Sequence, residues 1–79
     1  MAMLPADEDY AKGLLTIFSA HAVRPGQSLS ARQVSREFES RNLGRPYDYH
    51  AAVAYSEDRG WLKREFDRLR LTGGGWAEM

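Results

Sequence analysis

PYDYHAAVAYSEDRGWLKREFDRLRLT, residues 46–72, changes its hydrophobic period part-way along, and that change decides the fold. Up to Asp58 the repeat is helical. Tyr49, Ala52, Val53 and Ser56 share one face, and Tyr47, Ala51, Ala54 and Asp58 share the other. Pro46 suits the first helical position, where its missing N–H would be unpaired anyway. Gly60 is placed to adopt positive φ beyond the last turn. After it the period drops to two: Leu62, Arg64 and Phe66 alternate with Trp61, Lys63 and Glu65, and Leu69 and Leu71 alternate with Arg68, Arg70 and Thr72. Two short runs separated by Asp67 and its neighbours read as a hairpin. A lone hairpin is unstable in water, so Leu62, Leu69 and Leu71 are expected to lie over helices.

Working back toward the N-terminus, Ser30 reads as a helix N-cap with Gln33 three residues on, the serine/glutamine form of a capping box. The helix it opens runs to about Ser40, with Ala31, Val34, Ser35 and Phe38 inward and Arg32 and Arg36 outward. Arg41 to Arg45, containing Gly44, connects it to Pro46 and is longer than the tightest helix-turn-helix link. Pro25-Gly26 marks a turn, and Gln27-Ser28-Leu29 is placed to form a one-rung strand. Before that turn, Tyr10, Leu14, Ile17, Phe18 and His21 recur on one face of a first helix over roughly 8–21, which starts acidic at Asp7, Glu8 and Asp9. Residues 1–6 and 74–79 are expected to be loose tails, with Trp76 either folded back or exposed.

At 79 residues there is room for one domain. The absence of cysteine excludes disulfides and thiolate metal sites, so packing alone must stabilise the fold. No apolar run is long enough to span a membrane, and MAMLPADED lacks the basic-then-apolar order of a signal peptide, so the expected location is cytoplasmic. Formal net charge is zero, but it is unevenly spread. Arg24 to Arg45 holds five arginines against two glutamates, and Arg59 to Arg70 holds five basic residues against Glu65 and Asp67. Each segment is therefore +3 (five minus two).

Enzyme chemistry finds little support. His21 and His50 lack the H-x-x-x-H or H-E-x-x-H spacing of metal sites, and no serine sits in a nucleophile-elbow context. Gly73-Gly74-Gly75 lacks the downstream lysine of a phosphate loop. Asp7, Glu8 and Asp9 read as a helix start, and Glu57 and Asp58 as a solvated face. No catalytic residue, metal or cofactor is expected.

A helix that runs into Gly60-Trp61-Leu62 and then a charged hairpin resembles the last part of a winged-helix domain, a winged form of the helix-turn-helix. The resemblance implies a small α+β domain with three helices followed by a two-stranded hairpin and a short extra strand between helices one and two. Its core is expected to contain Leu14, Ile17, Phe18, Leu29, Val34, Phe38, Leu43, Tyr49, Val53, Leu62 and Leu71.

It also implies DNA binding and transcriptional regulation, with helix three in the major groove and the hairpin on phosphate or in the minor groove. The residues placed for this are Arg32, Arg36, Arg45, Tyr47, His50, Lys63, Arg64 and Arg68. A homodimer on double-stranded DNA would enlarge the site. Helix three itself has no lysine or arginine between Tyr47 and Asp58. The rival reading is therefore a protein-interaction or dimerisation surface formed by Tyr47, Ala51, Ala54 and Tyr55. The plainest alternative is that the arginines are solvated surface balanced by their neighbouring carboxylates.

Overall fold

The computed structural model describes residues 7–79, so the expected loose lead-in at 1–6 lies outside the described residues. In chain order the elements are α1 (Asp7–Ala20), β1 (Ser28–Ser30), α2 (Ala31–Ser40), α3 (Pro46–Asp58), β2 (Leu62–Glu65), β3 (Arg68–Leu71) and α4 (Gly73–Ala77). The domain is α+β, with four helices and a three-stranded antiparallel sheet of order β1-β3-β2 among the described residues.

Three helices end in the same way. The residue after the last turn is left-handed at Ala22 (φ 53°), Asn42 (φ 57°) and Gly60 (φ 74°). The next amide then reaches back across the turn: Val23 to the Phe18 carbonyl at 3.0 Å, Leu43 to that of Phe38 at 3.0 Å, and Trp61 to that of Ser56 at 2.8 Å. This pattern satisfies carbonyls the helix would otherwise orphan, and it sets an apolar residue against the end of its own helix. Val23 and Trp61 are buried, and Leu43 packs half-buried against the core. The helix starts are equally local. Ser30 Oγ accepts from the Gln33 amide at 3.4 Å, and Asp48 Oδ2 accepts from the Arg45 amide at 2.8 Å. Gln33 does not complete the expected capping box, because its amide side chain donates to Glu37 Oε2 at 3.2 Å instead.

The core lies between α1, α3 and the inner sheet face, with α3 packed most extensively on α1. Of the expected core residues, Leu29 and Leu43 are partly buried and the rest are buried. Ala11, Leu15, Val23, Ala52, Trp61 and Leu69 join them. The strand register places Leu69 opposite Leu29 on one side and Arg64 on the other, and Leu71 opposite Leu62. Opposed residues of an antiparallel pair share a face, so Leu29, Leu62, Arg64, Leu69 and Leu71 all point to the helices. Ser28, Ser30, Lys63, Glu65, Arg68 and Arg70 occupy the outer face.

The expected loose C-terminal tail is replaced by α4 over Gly73–Ala77. Thr72 makes the difference. Its hydroxyl accepts from the Gly75 amide at 3.1 Å and donates toward the carbonyls of Gly60 and Trp61. Gly75 is buried, and a β-carbon there would collide with the Trp61 carbonyl and the Leu71 side chain, so the run of glycines permits close approach. Trp76 is exposed, at 49%, and borders a shallow depression with Ser19 and Met79.

Gly60 has open space around it, so only backbone conformation distinguishes it from alanine. Ala22 occupies the same left-handed state with a β-carbon. Ala22→Gly is therefore expected to raise unfolding free energy by about 1 kcal/mol and Gly60→Ala to lower it by about the same, measured by denaturant titration. Ser56 Oγ is fully buried without a hydrogen-bond partner among the described residues. Ser56→Ala is expected to be neutral or to stabilise by up to about 1 kcal/mol in the same assay, because no bond is lost and a buried polar group is removed.

Candidate functional site

A cleft of about 280 Å³ opens between the start of α2, the outer edge of α3 and the β2–β3 hairpin. Tyr49 and Val53 form its floor, and Arg32, His50, Arg64 and Phe66 stand around it. Three features of the fold bring these residues together. Asp67 accepts from the Ala31 amide at 2.6 Å, which ties the hairpin turn to the first residue of α2. Tyr49 donates its hydroxyl to the Ala31 carbonyl at 3.2 Å, tying α3 to the same point. The inward register of Arg64 then aims its side chain at α3, where it pairs with Glu57 at 2.9 Å. Burial raises the Tyr49 pKa, and the nearby Arg64 charge partly offsets this.

The expected contact residues separate into groups. Arg32, His50 and Arg64 meet at the cleft. Arg36 follows one helical turn after Arg32 on the exposed side of α2. Neither Arg32 nor Arg36 has an ion pair among the described residues. Arg45 and Tyr47 lie at the start of α3, and Tyr47 is 81% exposed.

Lys63 and Arg68 are on the other face of the sheet and do not join the cleft. Arg68 is held by Ser28, through Oγ at 2.8 Å and the carbonyl at 3.1 Å. Lys63 approaches Glu65 at 3.9 Å. Glu65 also pairs with Arg70 at 2.6 Å. The Arg70 hydrogen bond holds the Glu65 pKa below its ordinary value and raises that of Arg70. The outer-face cations are thus engaged within the sheet, Lys63 and Arg70 by Glu65 and Arg68 by Ser28, whereas Arg64 on the helix side pairs with Glu57 of α3.

The rival surface also divides. Tyr47 and Ala54 are exposed and Ala51 is half-buried. Tyr55 turns toward α1 instead, donating its hydroxyl to Glu8 at 2.9 Å and packing edge-on against Trp61. Its pKa is raised by the hydrogen bond to Glu8 and then by burial. Tyr55 therefore belongs to the packing of α3 on α1.

No protein-family model matches the chain, and no curated protein and no solved structure is significantly similar to it. Function must be read from the geometry. Among the described residues no group of three histidine, cysteine or acidic side chains is placed to hold a metal ion, and no helix is long and apolar enough to cross a membrane.

Sequence reasoning did not find two features. One is Phe66, fully exposed in the hairpin turn, where a strict alternation would have extended the strand through it. The other is a polar cluster joining α1 to α2, in which Glu37 accepts from His21 Nε2 at 2.6 Å, from Arg41 at 3.1 Å and from Gln33. The i, i+4 spacing of Gln33, Glu37 and Arg41 was a readable signal for part of it.

Burial raises the Glu37 pKa, but the hydrogen bonds from His21 and Gln33 and the charges of His21 and Arg41 outweigh it, and the net displacement is downward from 4.5. A depressed carboxyl adds stability above its unfolded pKa and loses it as pH falls through the folded value. Glu37→Gln is expected to flatten the fall in Tm between about pH 5 and about pH 3. An acid limb as steep as in the parent would contradict the role of this cluster.

Proposed function

We propose that the chain is a winged-helix DNA-binding module of the kind found in transcriptional regulators. Its α3 lies along the major groove, and the β2–β3 hairpin acts as the wing. The observation that carries the reading is the meeting of Arg32, His50 and Arg64 around one cleft at the outer edge of α3. The helix order, the strand inserted between α1 and α2, and the β1-β3-β2 sheet are consistent with that architecture.

Phosphate contacts then come from Arg32 and Arg36 on α2, which have no ion pair among the described residues, with Arg45 at the N-terminal entrance of α3. Arg64 can exchange its surface pairing with Glu57 for phosphate at modest cost, because exposed ion pairs are weak. Tyr47, His50, Ala51 and Ala54 face the base edges. Alanines on that stripe let the α3 backbone come close, and the hydroxyl and imidazole can donate hydrogen bonds. Lys63 and Arg68 drop out of the contact set because they belong to the far face of the sheet.

A protein-docking reading is favoured by the exposure of Tyr47 at 81%, but it loses Tyr55 to the α1 contact. Salt dependence separates the two. With about four phosphate contacts, affinity for a mixed-sequence duplex is expected to fall roughly a hundredfold between about 50 mM and about 200 mM salt. Arg32→Ala and Arg36→Ala should each lower the salt slope by about one, while Lys63→Ala and Arg68→Ala leave it unchanged. Fluorescence anisotropy measures this. No binding at low salt, or a larger loss from the outer-face variants, would overturn the proposal.

A further inference from the structure

We infer that Phe66 is a wedge that enters between adjacent base pairs of duplex DNA and kinks it. The inference rests on the DNA-binding reading and adds to it a specific act at the tip of the hairpin.

Pairing of Glu65 with Arg68 leaves only Phe66 and Asp67 to turn the chain. Phe66 takes a left-handed φ of 55°, a conformation in which glycine or asparagine is the usual occupant. Its ring is 102% exposed and makes no aromatic or cation–π contact among the described residues. A large apolar ring is thus held away from the core in a backbone state that a smaller residue would adopt more readily. Strain of that kind persists where the surroundings impose it, and it clusters at functional positions.

The surroundings here are specific. The register with β3 fixes one side of the turn, and the bond from the Ala31 amide to the Asp67 carbonyl fixes the other. The backbone of Phe66 is therefore braced, and its ring projects from the turn into solvent.

What it projects toward follows from charge. On the cleft side its charged and titratable neighbours are Arg32, Arg64, His50 and the buried Tyr49, and Arg64 is paired with Glu57 at 2.9 Å. On the sheet's outer face Glu65 is engaged by Arg70 and Lys63. Arg32 has no ion pair among the described residues and the Arg64–Glu57 pair is exposed and exchangeable, so the cleft can receive a polyanion. At the tip, the exposed Asp67 disfavours phosphate, which leaves the ring as the contacting group. Of the parts of duplex DNA, the one that accepts a flat apolar ring beside phosphates is the gap between stacked base pairs. Apolar side chains in that position unstack one step and bend the duplex toward the major groove.

The test uses the whole chain and a mixed-sequence duplex carrying a fluorophore at each end, with 2-aminopurine placed along the site in a parallel set. The parent protein is expected to shorten the end-to-end distance on binding and to raise 2-aminopurine emission at one step. Phe66→Ala should abolish both signals while keeping affinity within about tenfold and the salt slope unchanged, since the phosphate contacts remain. Phe66→Leu should retain part of the bend. Because the ring contributes no packing, Phe66→Gly is expected to raise Tm, which checks that the turn is strained and the variants are folded.

Binding by the parent with no bend and no change in stacking overturns the wedge and leaves DNA binding standing. Bending equally strong in Phe66→Ala does the same. Absence of any binding by the parent overturns both.

Discussion

The register of β3 between its two neighbours is the constraint on which the rest of the structure depends. Leu69 and Leu71 face the helices only because Leu29, Arg64 and Leu62 stand opposite them. A slip of one residue would turn both leucines to solvent and bury Arg68 and Arg70. The same register sorts the charge. Arg64 is the hairpin cation on the helix side, and Lys63, Arg68 and Arg70 are on the other, where Glu65, Ser28 and the Gly26 carbonyl satisfy them. A chain with no net charge can thereby bring Arg32, which has no ion pair among the described residues, to one cleft with Arg64, whose partner is Glu57 on α3.

A second constraint is repeated at the C-terminal end of each of the three longer helices. One left-handed residue reverses the chain, and the following apolar residue is pressed into the core: Val23 after α1, Leu43 after α2 and Trp61 after α3. These residues anchor the connections. The backbone of Trp61 also receives the C-terminal segment, since Thr72 donates to its carbonyl and Gly75 approaches it without a β-carbon. In a domain of 79 residues, whose core is necessarily small, such use of helix ends increases the apolar area buried without lengthening any element.

Much of this was legible in the order of residues, for physical reasons that can be named. The bounds of α3 follow from Pro46 and Gly60, each with a backbone preference strong enough to outweigh its neighbours. The inward faces of α1 and α2 follow from a clean helical period.

The unread parts depended on contacts between segments distant in sequence. Gly73–Ala77 has a composition typical of a flexible tail, and only the approach of Thr72 to Trp61 makes it helical. Tyr55 fits an exposed stripe by spacing but is turned inward by Glu8, forty-seven residues away. Phe66 continues the alternation of β2 on paper, whereas the Glu65 to Arg68 pairing ends the strand one residue earlier. At the candidate site, spacing placed arginines on α2 and on the hairpin. It could not say which face of the sheet each would take.

Side and charge together frame the functional claim that the α2–α3–hairpin cleft, and not the outer sheet face, meets the phosphates. Heteronuclear NMR of the arginine side chains during titration with a short duplex at low salt tests it most directly. The Nε–H resonances of Arg32 and Arg64 are predicted to shift as duplex is added, and those of Arg68 and Arg70 to stay in place. Movement of Arg68 and Arg70 with Arg32 and Arg64 unmoved, or no movement in any of the four, would contradict it.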